Sequence, residues 1–269
     1  MYSLANNISA MMLRRQSAAN VDPILALFAN GEQGAYYDPS DSSTVFQDAA
    51  MTTPAGANDP VGALMDKSGN GNHATQATAA ARPIRRTDGT YWWLEFDGVG
   101  DVLVTSAIDF TATAKMSTGL AVRTLTMATG VLVEISPVVK NNPGAFFVAQ
   151  NDGVPYDAAS RGTGGFSAAN LATSPGPAAI DTTNVITSQH DLSADLTTIR
   201  RNSVDGTPAT VALGGNFGNY ALNIGARNGG SGFYSKALIY QVFVRGALTQ
   251  GTDLADAELK LAAMAGITL

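Results

Sequence analysis

The chain contains no cysteine, so neither a disulfide nor a thiolate metal site is open to it. Charge is sparse: only 14% of its 269 residues are charged, the net charge is −6, and no long basic run occurs. Nucleic-acid binding rests on neutralising phosphates with Lys and Arg, so nucleic acid is not expected as its main partner. No run of about 18 apolar residues is present, and a helical membrane span is not expected. Met1–Asn20 lacks a basic segment followed by an apolar one; Arg14 and Arg15 come late, and the stretch does not read as a secretory leader. Glutamates number four, Glu32, Glu95, Glu134 and Glu258. Glycan-cleaving enzymes use two carboxylates roughly 5–10 Å apart, and none of the four sits in a closely spaced acidic cluster. The two histidines, His73 and His190, lie in polar stretches and read as loop residues. No G-x-S-x-G elbow accompanies them. Gly69-Asn70-Gly71-Asn72-His73-Ala74 fits G-x-G-x-x-A by letter but lacks the βαβ context, and reads as a turn.

What is present points to β-structure. A hydrophobic content of 45% supplies a sizeable core, and 28 glycines mark many turns. Short strands are expected at about 34–37, 61–65, 116–124, 131–135, 145–149, 185–187, 196–202, 221–225 and 237–245, with a hairpin turn at Asp205-Gly206 leading into 210–213. Residues 237–245 are almost continuously apolar, as in a strand buried on both faces. Residues 151–183 turn polar and small and read as a long loop. Leu254, Ala257, Leu261 and Met264 share one helical face, with Asp253 and Asp256 near its start, Lys260 placed to pair with Asp256, and Gly266 as the stop. The chain therefore reads as all-β, a two-sheet antiparallel jelly-roll sandwich over residues 23–269 with a short C-terminal helix. Residues 1–22 stand apart as an arm: Leu4, Ile8, Met11 and Met12 fall on one helical face. That face either folds back on its own domain or attaches to a neighbouring subunit.

The stretch Tyr91–Val104 organises the rest. It holds both tryptophans and reads as two strands joined at Asp97-Gly98. Alternation puts Trp92, Leu94 and Phe96 on a core face and Tyr91, Trp93 and Glu95 on the other. A flat ring beside polar groups suits a sugar, so Tyr91, Trp93, Glu95 and Tyr37 are candidate ligand contacts. The competing reading is that Trp93 is covered by its own chain. Calcium takes oxygen ligands from loop aspartates, which makes Asp38 with Asp41 and Asp97 with Asp101 weak candidates; otherwise they are ordinary turn residues. No other cofactor is indicated.

Four stretches carry a resemblance. They are Ala35-Tyr36-Tyr37-Asp38-Pro39-Ser40-Asp41 with Val45–Asp48; Asp66–Gln76 with Arg82-Pro83; Leu94–Asp101; and Ile224-Gly225-Ala226-Arg227 with the end Gly266–Leu269. In this order, over about residues 30–269, they resemble the concanavalin A-like, laminin-G-like jelly rolls of tailed-phage and prophage virion proteins. Many relatives carry two acidic residues after Asp-Gly-Val; here Gly100 takes the first place and Asp101 remains. The resemblance implies a non-enzymatic virion component, a decoration or tail-associated appendage. It would be homo-oligomeric, tied to other virion proteins through the arm, and able to contact a host-surface glycan. The alternatives are a dedicated carbohydrate-binding module and a polysaccharide hydrolase or lyase.

Overall fold

The computed structural model of the chain describes residues 21–152, 156–177 and 179–269. The arm's apolar face, Leu4, Ile8, Met11 and Met12, lies outside them. In chain order the first strands are β1 Gly34–Tyr37, β2 Val45–Phe46, β3 Ala63–Leu64, β4 Ala74–Thr75, β5 Ile84–Thr87, β6 Trp92–Asp97, β7 Leu103–Asp109 and β8 Lys115–Thr124. There follow β9 Gly130–Ile135, β10 Ala145–Gln150, β11 Tyr156–Arg161, β12 Leu171–Thr173, β13 Thr182–Asp191, β14 Leu196–Arg201, β15 Val204–Asp205, β16 Asn219–Ile224 and β17 Lys236–Arg245. Two α-helices flank them, α1 Pro23–Ala26 and α2 Gly251–Met264.

The strands form the expected two-sheet antiparallel sandwich. One sheet runs β15-β14-β13-β8-β17, and β17 then shares its far edge between β6 and β1, with β5 beyond β6. The other runs β12-β11-β10-β9-β16-β7-β4-β3-β2. Their inner faces enclose a core that includes Leu94, Phe96, Leu120, Val133, Phe146, Ile186, Leu222 and Val244. Strand β17 is buried along Ala237–Arg245, as its continuous apolar run predicts for a central strand packed on both faces.

A second core lies outside the first sheet. Ile24, Leu27 and Phe28 from the α1 segment meet Ala257, Leu261 and Ala262 of α2 over Tyr36, Leu238, Tyr240 and Phe243. The helix spacing seen in the sequence is what makes this cover. Its one buried acidic residue, Glu258, is 2% exposed. The carboxylate accepts from Thr187, Arg200 and Ser203, which pins α2 to the β13–β14 hairpin. Lys260 pairs with Asp22 at 3.4 Å, so it ties α2 to the α1 segment and not to Asp256.

Several local expectations are corrected. Tyr91–Val104 is not a hairpin: β6 belongs to the first sheet and β7 to the second. Asp97 accepts from the amides of Val99, Gly100 and Asp101, and Asp101 accepts from the Asp97 amide, so the segment is a corner that carries the chain between sheets. Residues 151–183 are not one loop, since they contain β11 and β12 and open β13. The tight turn after β14 is at Asn202-Ser203, where φ is 51° and 63°, and not at Asp205-Gly206. Residues 210–213 form no strand.

Candidate functional site: the open face of the second sheet

The residues singled out in the sequence do not converge. Trp93 lies under the helical cover, with its ring 5.6 Å from that of Tyr240, and Tyr91 packs against the same cluster. Gly266 adopts φ 69° beside Tyr91, and a Cβ there would come within 2.6 Å of the ring, so glycine is needed for the chain end to lie on it. Glu95 forms an ion pair with Arg86 at 2.7 Å on the surface. Tyr37 is 1% exposed, with its hydroxyl donated to the Asn72 carbonyl; it is a core residue, not a ligand contact.

Neither aspartate pair is arranged for calcium. Lys67 places its ammonium 3.3 Å from Asp38 and 2.7 Å from Asp41, so the protein supplies its own cation between them. That contact, with two hydrogen bonds from Ser43, pulls the Asp41 carboxyl down to about 2. Asp97 and Asp101 are committed to the corner. Burial, with the nearby charges of Asp97 and Glu95, pushes Asp101 up to about 6, the reverse of what a bound cation would need. Among the described residues no three His, Asp or Glu side chains cluster as a metal site.

His190 is also misplaced by the sequence reading. It is fully buried in β13, not in a loop, 4.8 Å from the Phe146 ring and hydrogen-bonded to the hydroxyls of Ser160 and Ser188 at 2.7 and 2.8 Å. Burial depresses it to about 3, so the ring is neutral. With no carboxylate partner and no exposure it has no means of acting as a catalytic base.

The second sheet has the opposite character. Its outer face has no helical cover among the described residues, and a small apolar cluster sits on it: Val139, Ala145, Phe147, Ala149 and Ala159, with Phe166 and Leu171 packed alongside. Cross-strand register aligns side chains on one face. Ala159, Phe147, Glu134, Asn223 and Val104 form one such row across β11, β10, β9, β16 and β7. Asp157 and Ala149 form the next row.

A cavity of about 210 Å³ opens on this face, bounded by Phe147, Phe166, Phe233, Arg227, Asn151 and Asp157 among others. The rings of Phe147 and Phe166 are 6.2 Å apart. Phe233 and Arg227 come from the glycine-rich connection between β16 and β17, and the Arg227 guanidinium lies 4.4 Å from the centre of the Phe233 ring. Phe233 is 49% exposed and sits at φ 52°, a conformation that large side chains rarely adopt. The connection therefore holds an aromatic outward at a conformational cost.

Two carboxylates underlie the cavity. Glu134 is fully buried, accepts from the Val139 amide and pairs with Arg227 at 2.8 Å. Burial pushes its carboxyl up and Arg227 opposes the shift. Asp157 is 2% exposed and takes one hydrogen bond, from the Asn151 amide to Oδ2. Its Oδ1 has no partner among the described residues, and burial raises the carboxyl's pKa. An unmet buried acceptor beside an open cavity is the group that a ligand donor would satisfy. The sequence signal for this site was faint. Asp157 lies in a run of small and polar residues, and only the glycine-rich Arg227–Phe233 stretch marks an exposed ring.

No family model matches the chain, and no curated protein matches its sequence. Solved structures do share the fold. A Trypanosoma rangeli sialidase in complex with 2,3-difluorosialic acid matches with a TM-score of 0.52 at 11% identity, over 87% of this chain and 33% of that one. An arabinofuranosidase complexed with arabinofuranosyl-α-1,2-xylobiose matches with a TM-score of 0.58 at 13% identity, over 91% of this chain and 65% of that one. An α-L-arabinofuranosidase soaked with 4-nitrophenyl α-L-arabinofuranoside reaches 0.60 at 14% identity. At these identities the likeness is one of fold. The chain spans a third of the sialidase and just under two thirds of the arabinofuranosidase.

These neighbours correct the expected role. The sequence reading favoured a virion structural component, whereas the structures named above are a sialidase and two arabinofuranosidase structures, and none of the three is tied to a phage particle. The alternatives that involve carbohydrate are the better supported ones.

Proposed function

We propose that this chain is a carbohydrate-binding β-sandwich that takes a neutral glycan on the open face of the second sheet, and that it acts by binding and not by bond cleavage. The observation that carries the reading is the cavity lined by Phe147, Phe166, Phe233 and Asp157, whose buried Oδ1 has no partner among the described residues. A sugar ring offers an apolar face to aromatic rings and hydroxyl donors at its edge. A donated hydroxyl would relieve the roughly 1–3 kcal/mol that an unmet buried acceptor costs. Charge favours a neutral sugar over an acidic one, because the Arg227 cation is already neutralised by Glu134 and Asp157 is itself a carboxylate. The arabinofuranosyl ligand complexed with one fold neighbour is of this neutral kind.

Two carboxylates support binding without cleavage. Glu134 and Asp157 are two strands and two residues apart, roughly 12 Å between backbones from strand spacing and rise. Glu134 is buried and committed to Arg227, so it offers no carboxylate to a bound sugar. The test is an array of neutral and sialylated oligosaccharides, followed by a reducing-end assay on every glycan bound. Neutral glycans should bind, sialylated ones should not, and no ends should be released. Silence across the array overturns the binding reading, and released ends overturn its non-catalytic part.

A further inference from the structure

The row that passes under the cavity does not stop there. Beyond Glu134 it continues through Asn223 of β16 to Val104 of β7, where a second depression of about 320 Å³ is bounded by Val104, Ala107, Ser136, Tyr220, Asn223 and Asn228, among others. The loop that supplies Arg227 and Phe233 to the first cavity supplies Asn228 and Gly229 to this one. The Glu134–Arg227 pair stands between the two.

Ser136 marks the second depression as a prepared surface. It is 1% exposed, and its hydroxyl has no hydrogen-bond partner among the described residues. Its φ is 139°, in the range that favours glycine, although Pro137 follows and biases the preceding residue toward ordinary extended backbone. The conformation is held in place by Asn223, whose amide donates to the Ser136 carbonyl at 3.2 Å and whose carbonyl accepts from the Gly229 amide at 2.8 Å. A strained backbone that leaves a buried hydroxyl unmet at the wall of a depression fits a ligand contact better than a packing role.

We infer that the second depression is a further sugar subsite, and that the site takes a linear neutral oligosaccharide laid across the strands from β11 to β7, with Ser136 and the Asn228 loop contacting rings that the first cavity does not reach. The inference rests on the carbohydrate reading of that cavity. Phe147 and Val104 are three strands apart, roughly 14 Å at ordinary strand spacing, which is longer than a single sugar ring. The crossing passes over the Arg227 guanidinium, whose remaining N–H groups can donate to hydroxyls or to a ring oxygen.

The experiment titrates the full chain with xylan-, mannan- and glucan-derived oligosaccharides, from disaccharide to hexasaccharide, by calorimetry. Two variants accompany it. Ser136→Gly removes the hydroxyl while relaxing the backbone, and Ala107→Trp fills the depression from an exposed position. In the unaltered chain, affinity should rise about tenfold or more with length, the worth of one or two added hydrogen-bonded contacts. Both variants should keep disaccharide affinity and lose the gain. Affinity that does not depend on length overturns the subsite and leaves the first cavity standing, as does a gain that both variants retain. Failure to bind at every length overturns the carbohydrate reading itself, and the subsite falls with it.

Discussion

The two outer faces of the sandwich have had opposite fates. On the first sheet, α2 and the α1 segment cover Tyr36, Trp93, Tyr240 and Phe243, and the face has become a second core. On the second sheet the cluster around Phe147 stays small, and aromatic rings line an open cavity, while a buried carboxylate oxygen and a buried hydroxyl have no partner among the described residues. The contrast teaches that aromatic content does not locate a site. The face richer in aromatics is the one the chain covers, because burying large rings stabilises most. The site lies where polar groups beside the rings are left without partners among the described residues.

The contrast can be broken at several points. The largest effect is expected on the covered face, where Leu261→Ala removes a fully buried side chain and should cost about 2–5 kcal/mol in chemical denaturation. Trp93→Ala should also destabilise, with glycan affinity unchanged; lost affinity in a folded Trp93 variant would move the site back to the first sheet. Next comes acid. His190 is neutral in the fold, depressed to about 3, whereas the unfolded chain takes up its proton near 6.5. Stability from this group is therefore complete above pH 6.5 and falls below it by about 1.4 kcal/mol per pH unit until about 3. A His190→Asn variant should show a flatter acid limb, and an unchanged limb would mean that the ring is not buried as described. On the open face the order reverses. Asp157→Asn and Phe166→Ala should weaken glycan binding by about tenfold, near 1.4 kcal/mol, in a direct titration. The smallest stability change is expected for Phe233→Ala, within about 0.5 kcal/mol by thermal melting, because the ring is exposed.

What the sequence made legible follows from how local the deciding physics is. The buried strand β17 and helix α2 announce themselves through their own apolar pattern, a continuous run in one case and i, i+3, i+4 spacing in the other. The Asp97-Gly98 corner does not. The same residues cap a turn whether the flanking strands pair or part, and only the partners of β6 and β7, far away in the chain, decide which. His190 reads as polar because its neighbours in sequence are polar, while its burial is imposed by Phe146 and Ser160 from other strands. The candidate site escaped for the same reason. Asp157, Ser136 and Arg227 are unremarkable singly and become a site through register between strands.

One pairing sets a schedule for the whole molecule. Strand β1 pairs with β17, Gly34 opposite Arg245, with nearly the entire domain between them. That ladder has no partner until residue 245 has been made, so on the ribosome the first sheet waits with its β1 edge open. Pairings this distant are slow, because chain closure comes before any contact rewards it. Until then the apolar residues of β1 and the α1 segment lack their cover, and the partly made chain exposes what the finished one hides most completely.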